Sequence, residues 1–383
     1  METRVPNSSN ASDVQRISAL DSIRGIAAFT VFLVHWLSFV MPPVASASKL
    51  DMALKAFVHL GHPAVIVFFV LSGFVLAGFL FNKPDTPYAN FALKRLVRLY
   101  PAFAVSIVLG CGLYLLTYSH QAKGFNAEFW ADWDAPPNPV MLLRHFLLLG
   151  IVDSDLTLNG PMWSLVYEMR LSLLMPLLAF AALRAPWALL VAAAGAYVVT
   201  EPMIEALGLS SRPYLGGSLV GSVLVTLHYV FPFAVGALLA RLWRDGWPKR
   251  ALTPAMELAI VALGLGALAA ENDFVTTLAA AAIIGVALKG RVLRRWLMQR
   301  PLVWLGKISY SLYLFHVPVM LAVVHAGSPL FPHWLLFGAS LALSFAVATA
   351  MYHWVEAPSV AWAQKVGRMR LAIPRLWHER PGI

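Results

Sequence analysis

Two ionisable side chains, Arg24 and His35, lie eleven residues apart within one long apolar segment, residues 23–41. Eleven helical steps return to almost the same face, about 16 Å further along the axis. Ionisable residues inside a membrane span usually mark a substrate pathway, a proton relay or a reaction centre. We therefore predict that Arg24 binds a phosphate at the membrane surface and that His35 accepts a proton deeper inside. The alternative is a snorkelling arginine and a packed histidine bonded to a backbone carbonyl.

A second basic motif, KRLVRLYP (94–101), places Arg95 and Arg98 one helical turn apart on a single face. Both are predicted to lie on the same side of the membrane as Arg24. Excess positive charge in cytoplasmic loops would explain the pair without any ligand. Three arginines at the same end of the helix bundle would also form a site for a polyanion such as the phosphates of coenzyme A.

The segment NGPMWSLVYEMR (159–170) carries Glu168, the one carboxylate that we place inside a span. A glutamate in that position must be paired, protonated or functional. We predict a catalytic role for Glu168 beside His35, in which it orients the imidazole or the acceptor. Arg170 could pair with Glu168 or with another helix, and the sequence leaves both arrangements open.

A polar stripe on the segment GKISYSLYLFHVP (306–318) consists of Ser309, Tyr313 and His316, which fall within about 60° on a helical wheel. Such a stripe can line a substrate channel or bond neighbouring helices together. Gly73 and Gly78 favour close helix packing in the segment 59–80. We expect a substrate channel to be lined by five polar side chains, namely Ser72, Ser164, Ser309, Tyr313 and His316.

The composition determines the class of protein. Of 383 residues, 59% are hydrophobic and 13% are charged, and the mean hydropathy is +0.70, which is far too apolar for a soluble globular chain. We predict an all-α, polytopic membrane helical bundle with about ten transmembrane helices. The predicted spans are 24–41, 62–81, 101–119, 163–183, 186–200, 219–240, 254–270, 274–288, 308–326 and 334–354.

The distribution of positive charge predicts that the N- and C-termini are cytoplasmic. With that orientation, 23 of the 29 Lys and Arg residues fall on the inner side and five on the outer side. The net charge of +10 then reflects contact with anionic lipid and gives no indication of nucleic-acid binding. The one cysteine, Cys111, allows no intramolecular disulfide. We predict no metal site.

The longest extramembrane stretch, 120–159, is predicted on the outer side. Within it, 138–152 suggests a short interfacial or re-entrant helix, and FNAEFWADWDAPPN (125–138) combines aromatic rings with carboxylates. That mixture suits carbohydrate, although an interfacial aromatic belt explains the same residues. Glu356, at the end of the last span, is interpreted as structural.

Five signatures occur in order along the chain: LDSIRG followed by His35, FFVLSGF (68–74), RLVRLYP (95–101), WSLVYE (163–168) and ISYSLYLFHVP (308–318). Together they resemble the acyltransferase-3 family of multi-spanning membrane O-acyltransferases, which includes bacterial O-antigen and exopolysaccharide O-acetylases. The resemblance covers residues 18–358. It implies a cytoplasmic N-terminal segment (1–17), a membrane acyltransferase domain (18–358) and a basic cytoplasmic tail (359–383), a stand-alone form without a fused hydrolase-like domain.

The resemblance also implies a reaction. Acyl-CoA, with acetyl-CoA as the default, would donate an acyl group to a hydroxyl of a carbohydrate or glycolipid on the far side of the bacterial inner membrane. Arg24, Arg95 and Arg98 would bind the donor, and His35 would be catalytic. Direct transfer and an acyl-histidine intermediate are both open.

Two other functions fit part of the pattern. Buried His and Glu residues on several helices also suit a proton-coupled transporter. A noncatalytic scaffold that recruits partners through its basic tail is the third alternative.

Overall fold

The computed structural model describes residues 8–41, 49–151, 157–208, 216–247 and 251–367. Within these ranges the chain is helical and contains no strand. In chain order the helices are α1 (Ser8–Val40), α2 (Lys49–Val58), α3 (Gly61–Asn82), α4 (Tyr88–Thr117), α5 (Ala127–Ala131), α6 (Pro139–Phe146), α7 (Met162–Arg184), α8 (Pro186–Ala206), α9 (Leu219–His228), α10 (Val230–Arg244), α11 (Pro254–Leu268), α12 (Asp273–Lys289), α13 (Val292–Leu297), α14 (Arg300–Gly327), α15 (His333–Met351) and α16 (Ala357–Val366).

Eight stretches of the described chain are long and apolar enough to cross a membrane. They are Ser18–Val40, Met52–Asn82, Tyr88–Thr117, Met162–Arg184, Pro186–Ala206, Leu219–Arg244, Arg300–Gly327 and His333–Val366. The two other predicted spans form α11 and α12, of 15 and 17 residues, shorter than the roughly 20 residues that a bilayer requires. The all-α polytopic bundle is confirmed, with eight stretches of full spanning length among the described residues where about ten spans were predicted.

Some predicted segments lie partly outside the described residues. The N-terminal segment is described only from Ser8, where α1 begins, and the tail only as far as residue 367. The helix predicted within 138–152 is present as α6, whose first turn is capped by the Asn138 side chain accepting from Met141 N–H at 3.0 Å. The orientation of both termini stays a prediction.

Glycine residues allow two pairs of helices to cross in near contact. A Cβ atom added at Gly25 of α1 would lie 2.6 Å from the Gly306 backbone nitrogen of α14. A Cβ at Gly73 of α3 would collide with the backbone of Phe233 of α10, whereas a Cβ at Gly78 meets nothing within 4 Å. Close packing is therefore confirmed for Gly73 and not for Gly78. These crossings bring the polar residues of α1, α3 and α14 to the centre of the bundle.

Two apolar clusters surround that centre. The larger cluster is built mainly from α1, α3, α7 and α10, and the smaller one from α1, α4, α14 and the loop between α4 and α7. The helix α4 runs unbroken through Pro101, so Arg95 and Arg98 belong to a spanning helix. The sequence had suggested that the span opens only at Pro101. Inside a bundle, neighbouring groups can satisfy the backbone carbonyl that a proline leaves without a donor.

Candidate functional site

Two cavities of the described bundle contain predicted site residues, and we name them inner and outer after the predicted orientation. The inner cavity, of about 290 Å³, is lined by Arg24, Arg95, Arg98 and Glu168 among others. The outer cavity, of about 400 Å³, is lined by His35 among others. Arg24 and His35 lie on the single continuous helix α1, as predicted, and their eleven-residue separation corresponds to about 16 Å. One helix therefore supplies a polar residue to each cavity.

The inner cavity gathers cationic side chains from three helices. The three arginines expected to bind the donor all line it, from α1 and α4, and α14 adds Lys307, which the sequence analysis did not single out. The Arg24 guanidinium donates from Nη1 to Asp21 Oδ1 at 3.0 Å. Arginine and lysine heads clustered in this way are the usual ligands of phosphate groups.

Glu168 holds one of these arginines. The buried Arg95 donates from Nη2 to Glu168 Oε1 at 3.2 Å and to Ser172 Oγ at 2.9 Å. Ser72 Oγ also donates to Glu168 Oε1, at 3.2 Å. The structure thus places Glu168 with Arg95 in the inner cavity and does not bring it together with His35. Its predicted role in orienting the imidazole has no support in this geometry.

The structure shows which partner Arg170 has, a question that the sequence left open between Glu168 and another helix. Its guanidinium donates to Ser222 Oγ at 2.7 Å and to Thr226 Oγ1 at 3.1 Å, both on α9, and to the Leu149 carbonyl at 2.6 Å. Arg170 therefore pairs with other elements of the chain rather than with Glu168, and its role is to join α7 to α9.

Glu356, interpreted from sequence as structural, is also part of the inner cavity. Its Oε2 atom accepts from Ser311 Oγ at 2.7 Å. The residue ends a π-helical turn, Tyr352–Glu356, between α15 and α16. Such turns are frequent at functional sites because they re-aim side chains. No feature of the motif HWVEAP (353–358) indicated this placement.

The predicted channel residues divide into two groups. Four of them line the inner cavity: Ser72, Ser164, Ser309 and Tyr313. His316 is fully buried instead, and its ring centroid lies 5.2 Å from that of His35. The structure thus places His316, and not Glu168, beside the predicted catalytic histidine.

The two cavities meet at Tyr313, which lines both of them. The Tyr313 hydroxyl lies 2.7 Å from Ser164 Oγ and donates to the Pro161 carbonyl at 3.1 Å. Its ring packs edge-on against Phe68, with centroids 5.5 Å apart. A group that passes from one cavity to the other would therefore contact the Tyr313 and Ser164 hydroxyls.

The loop between α4 and α7 contributes carboxyl groups to the outer cavity, namely Glu128 and Asp132. Burial, together with the nearby negative charges of Glu128 and Asp134, raises the pKa of Asp132 to about 8. Asp132 is therefore protonated at neutral pH and offers a hydroxyl donor to the cavity.

The aromatic residues of the same loop mostly face the protein. Phe129 and Trp133 are fully buried in the smaller apolar cluster, and Trp133 stacks on His325 with centroids 5.5 Å apart. These two rings belong to the core, so they form neither the carbohydrate platform nor the interfacial belt that the sequence left open.

Four ionisable residues form a chain of contacts beside the outer cavity. Asp273 of α12 contacts His62 Nε2 at 2.9 Å and His228 Nε2 at 3.2 Å, and His228 Nδ1 lies 3.3 Å from Glu201 Oε2. His62 also lines the outer cavity. No pattern in the sequence indicates this set, because its members come from four different helices. Among the described residues no group of three or more His, Cys, Asp or Glu side chains is arranged to hold a metal ion.

The sequence of this chain is similar to those of known acyltransferases. Residues 17–353 match the acyltransferase-3 family, described as an acyltransferase domain. The acyltransferase MdmB of Streptomyces mycarofaciens is 26% identical over 330 residues, which cover 80% of each chain. "Putative peptidoglycan O-acetyltransferase YrhL" of Bacillus subtilis is 25% identical over 383 residues, which cover 89% of this chain and 54% of YrhL. No solved structure matches the chain.

Proposed function

Because the chain belongs to the acyltransferase-3 family and is a multi-pass membrane acyltransferase, we propose that its donor is cytoplasmic acyl-CoA, with acetyl-CoA as the default. The acyl group is delivered to a hydroxyl of a carbohydrate or glycolipid at the opposite face of the bacterial inner membrane.

One observation carries the proposal: two cavities of different charge meet at Tyr313 within one bundle. The inner cavity offers Arg24, Arg95, Arg98 and Lys307 to the phosphates of coenzyme A. The separation of about 16 Å between Arg24 and His35 suits a phosphate-anchored pantetheine arm that presents its thioester near the junction. The nucleotide then stays on the inner side while the acyl group reaches the outer cavity.

The acceptor is proposed from the chemistry of the outer cavity. Its polar lining includes His35, Glu128 and Asp132, and no lysine or arginine is among the described residues that line it. This lining suits an acceptor that carries hydroxyl groups and no negative charge. The similarity to YrhL, which is named as a putative peptidoglycan O-acetyltransferase, supports a glycan as the acceptor.

The reaction follows from these positions. His35 accepts the proton of the acceptor hydroxyl, whose oxygen attacks the thioester carbonyl. The carbon–sulfur bond breaks, the ester forms, and the departing thiolate takes up the proton to give free coenzyme A. Ser164, which lies beside Tyr313, can turn its hydroxyl to donate a hydrogen bond to the oxyanion, and Glu168 keeps Arg95 in place for the donor. An acyl-histidine intermediate on His35 is the alternative route to the same products.

The decisive experiment measures acyl transfer in proteoliposomes that contain the full chain and acetyl-CoA. We expect His35→Ala to lower kcat by about 100-fold or more, the usual contribution of a general base, with coenzyme A binding unchanged. We expect Arg98→Ala to raise the KM for acetyl-CoA by about tenfold or more, because it removes a charged hydrogen-bond donor.

The matched control is Arg241→Ala. Arg241 bonds the Ala182 carbonyl and Asp245, outside both cavities, so the KM should stay at the wild-type value. Near-normal transfer by His35→Ala would exclude His35 from the chemistry. Solute uptake driven by a pH gradient, without any thioester, would favour the transporter instead. Mass spectrometry of surface glycans with and without the gene identifies the acceptor.

A further inference from the structure

His316 is held in one tautomer by its own helix. Its Nδ1 atom lies 3.0 Å from the Leu312 carbonyl oxygen and 2.9 Å from the Tyr313 carbonyl oxygen. A carbonyl oxygen only accepts hydrogen bonds, so Nδ1 carries the proton. In the neutral ring, Nε2 then has a lone pair and acts as an acceptor.

That acceptor has no hydrogen-bond partner within the described part of the chain. His316 is 0% exposed, and its Nε2 atom is shielded from solvent and unbonded. A buried acceptor without a donor is unfavourable and calls for an explanation.

The rings around His316 show which donor is available. Phe32, with its centroid 6.1 Å away, has no polar group. The Tyr313 hydroxyl is already engaged with Ser164 and Pro161. The His35 ring is closer, with its centroid at 5.2 Å and its plane inclined by 53°. His35 is half-buried at the edge of the outer cavity, which leaves its ring room to turn.

We propose that His316 is a positioning residue for His35: its Nε2 accepts an N–H from the His35 ring during turnover. This inference rests on the proposed function. One nitrogen of His35 is then protonated and points at His316, and the other keeps its lone pair towards the outer cavity, where it receives the proton of the acceptor hydroxyl. His35 becomes an imidazolium whose inner N–H is still bonded to His316. The proton leaves from the outer nitrogen to the thiolate, and none passes to His316.

The arrangement assigns to His316 the task that the sequence suggested for Glu168. A neutral acceptor is well suited to it, because it fixes the tautomer of His35 without pairing the imidazole to a full negative charge. The residue contacts neither substrate directly, so its loss should reduce kcat while the donor KM is preserved.

The test compares two substitutions at one position in proteoliposomes. His316→Gln places an amide oxygen near the former Nε2 atom, and His316→Phe keeps the ring without an acceptor. We expect His316→Phe to lower kcat by about 100-fold, within the range of general-base contributions, and His316→Gln to retain activity within about tenfold of wild type. The KM for acetyl-CoA should be unchanged in both variants.

His325→Phe is the matched control. His325 lies on the same helix, is 2% exposed, has an unbonded Nε2 atom in the described structure and bonds the Ser119 carbonyl through Nδ1 at 2.8 Å. It packs against Trp133 instead of His35. We expect this variant to lower the melting temperature without a comparable loss of kcat.

Nitrogen-15 NMR of histidine-labelled full-length protein supplies a second readout. The ring shifts of His35 should report one tautomer in the wild type and a mixture in His316→Phe. Wild-type kcat in His316→Phe would overturn the proposal while leaving His35 catalysis intact. Equal losses in His316→Phe and His316→Gln, together with lower melting temperatures, would show a structural role only. Failure of His35→Ala to affect transfer is a separate result that overturns the proposed function.

Discussion

At the scale of single residues, the bonding partner determines which charges of the bundle are available to a ligand. Arg170 donates to two hydroxyls and a backbone carbonyl, an arrangement that joins helices. Arg24 and Arg95 each bond a carboxylate inside the inner cavity, which orients their remaining donors. Paired guanidinium groups with free N–H groups are well placed to bind phosphate. The same residue type therefore serves structure at one position and ligand binding at another.

Asp132 makes the stability of the protein dependent on pH. Its pKa is about 8 in the folded protein, against an ordinary value of 3.8, so the folded state binds an extra proton between these values. The free energy of unfolding should therefore fall as the pH rises from about 5 to 8. Melting temperatures measured in detergent across this interval check the slope. We expect Asp132→Asn to flatten the slope, and Asp134→Asn, which removes only the smallest cause of the pKa shift, to reduce the slope much less. An unchanged slope in Asp132→Asn would contradict the assignment.

At the scale of helices, glycine determines how closely the backbones approach. Gly73 of α3 faces the Phe233 backbone of α10, and Gly236 of α10 faces the Val70 backbone of α3. Because lipid gives no hydrophobic drive for helix association, such close approach is a main source of packing energy in membranes. The contact also determines the position of Ser72, the residue adjacent to Gly73 that bonds Glu168.

This crossing leads to a prediction with an internal control. A methyl group at position 73 would have to push α3 away from α10, because the obstacle is backbone. We expect Gly73→Ala to destabilise the protein by about 1–3 kcal/mol, the usual cost of overpacking. Gly78→Ala, on the same helix, has open space and should be neutral. Melting temperatures in detergent measure both, and equal melting temperatures for the two variants would contradict the packing model.

At the scale of the whole molecule, the two cavities differ in charge, and we propose that they open towards opposite faces of the membrane. Arginine and lysine side chains concentrate in the inner cavity, and the outer cavity contains carboxyl groups and imidazoles. The asymmetry agrees with the orientation predicted from the loops, in which the Arg24, Arg95 and Lys307 ends of α1, α4 and α14 face the cytoplasm. With that orientation, the proposed donor and acceptor would be bound from different compartments.

The orientation is testable by labelling. In a Cys111→Ser background, Leu330→Cys lies in the loop between α14 and α15, and Asp85→Cys lies in the loop between α3 and α4. Leu330 is 75% exposed and Asp85 is also exposed. A membrane-impermeant maleimide should label Leu330→Cys in intact cells and Asp85→Cys only after permeabilisation. The reverse pattern would place the arginines on the outer side and exclude cytoplasmic acyl-CoA as their ligand.

The sequence by itself determined the features that depend on local geometry and on hydropathy. The continuous helix from Arg24 to His35 and the shared face of Arg95 and Arg98 follow from 3.6 residues per turn. The helical membrane fold follows from the length of the apolar runs, because only helices or closed barrels satisfy the backbone inside lipid. The family signatures added the reaction class.

Only the tertiary structure decided which helical faces meet. Glu168 could be assigned to a span, but its pairing with Arg95 joins residues 73 positions apart, and His316 meets His35 from the other end of the chain. A helical wheel shows which side chains share a face, but it does not show which helix packs against that face. In a membrane protein the partner helix is harder to predict, because apolar surfaces that face lipid and those that face protein have similar hydropathy. Close packing at positions such as Gly25, Gly73 and Gly306 selects among the arrangements.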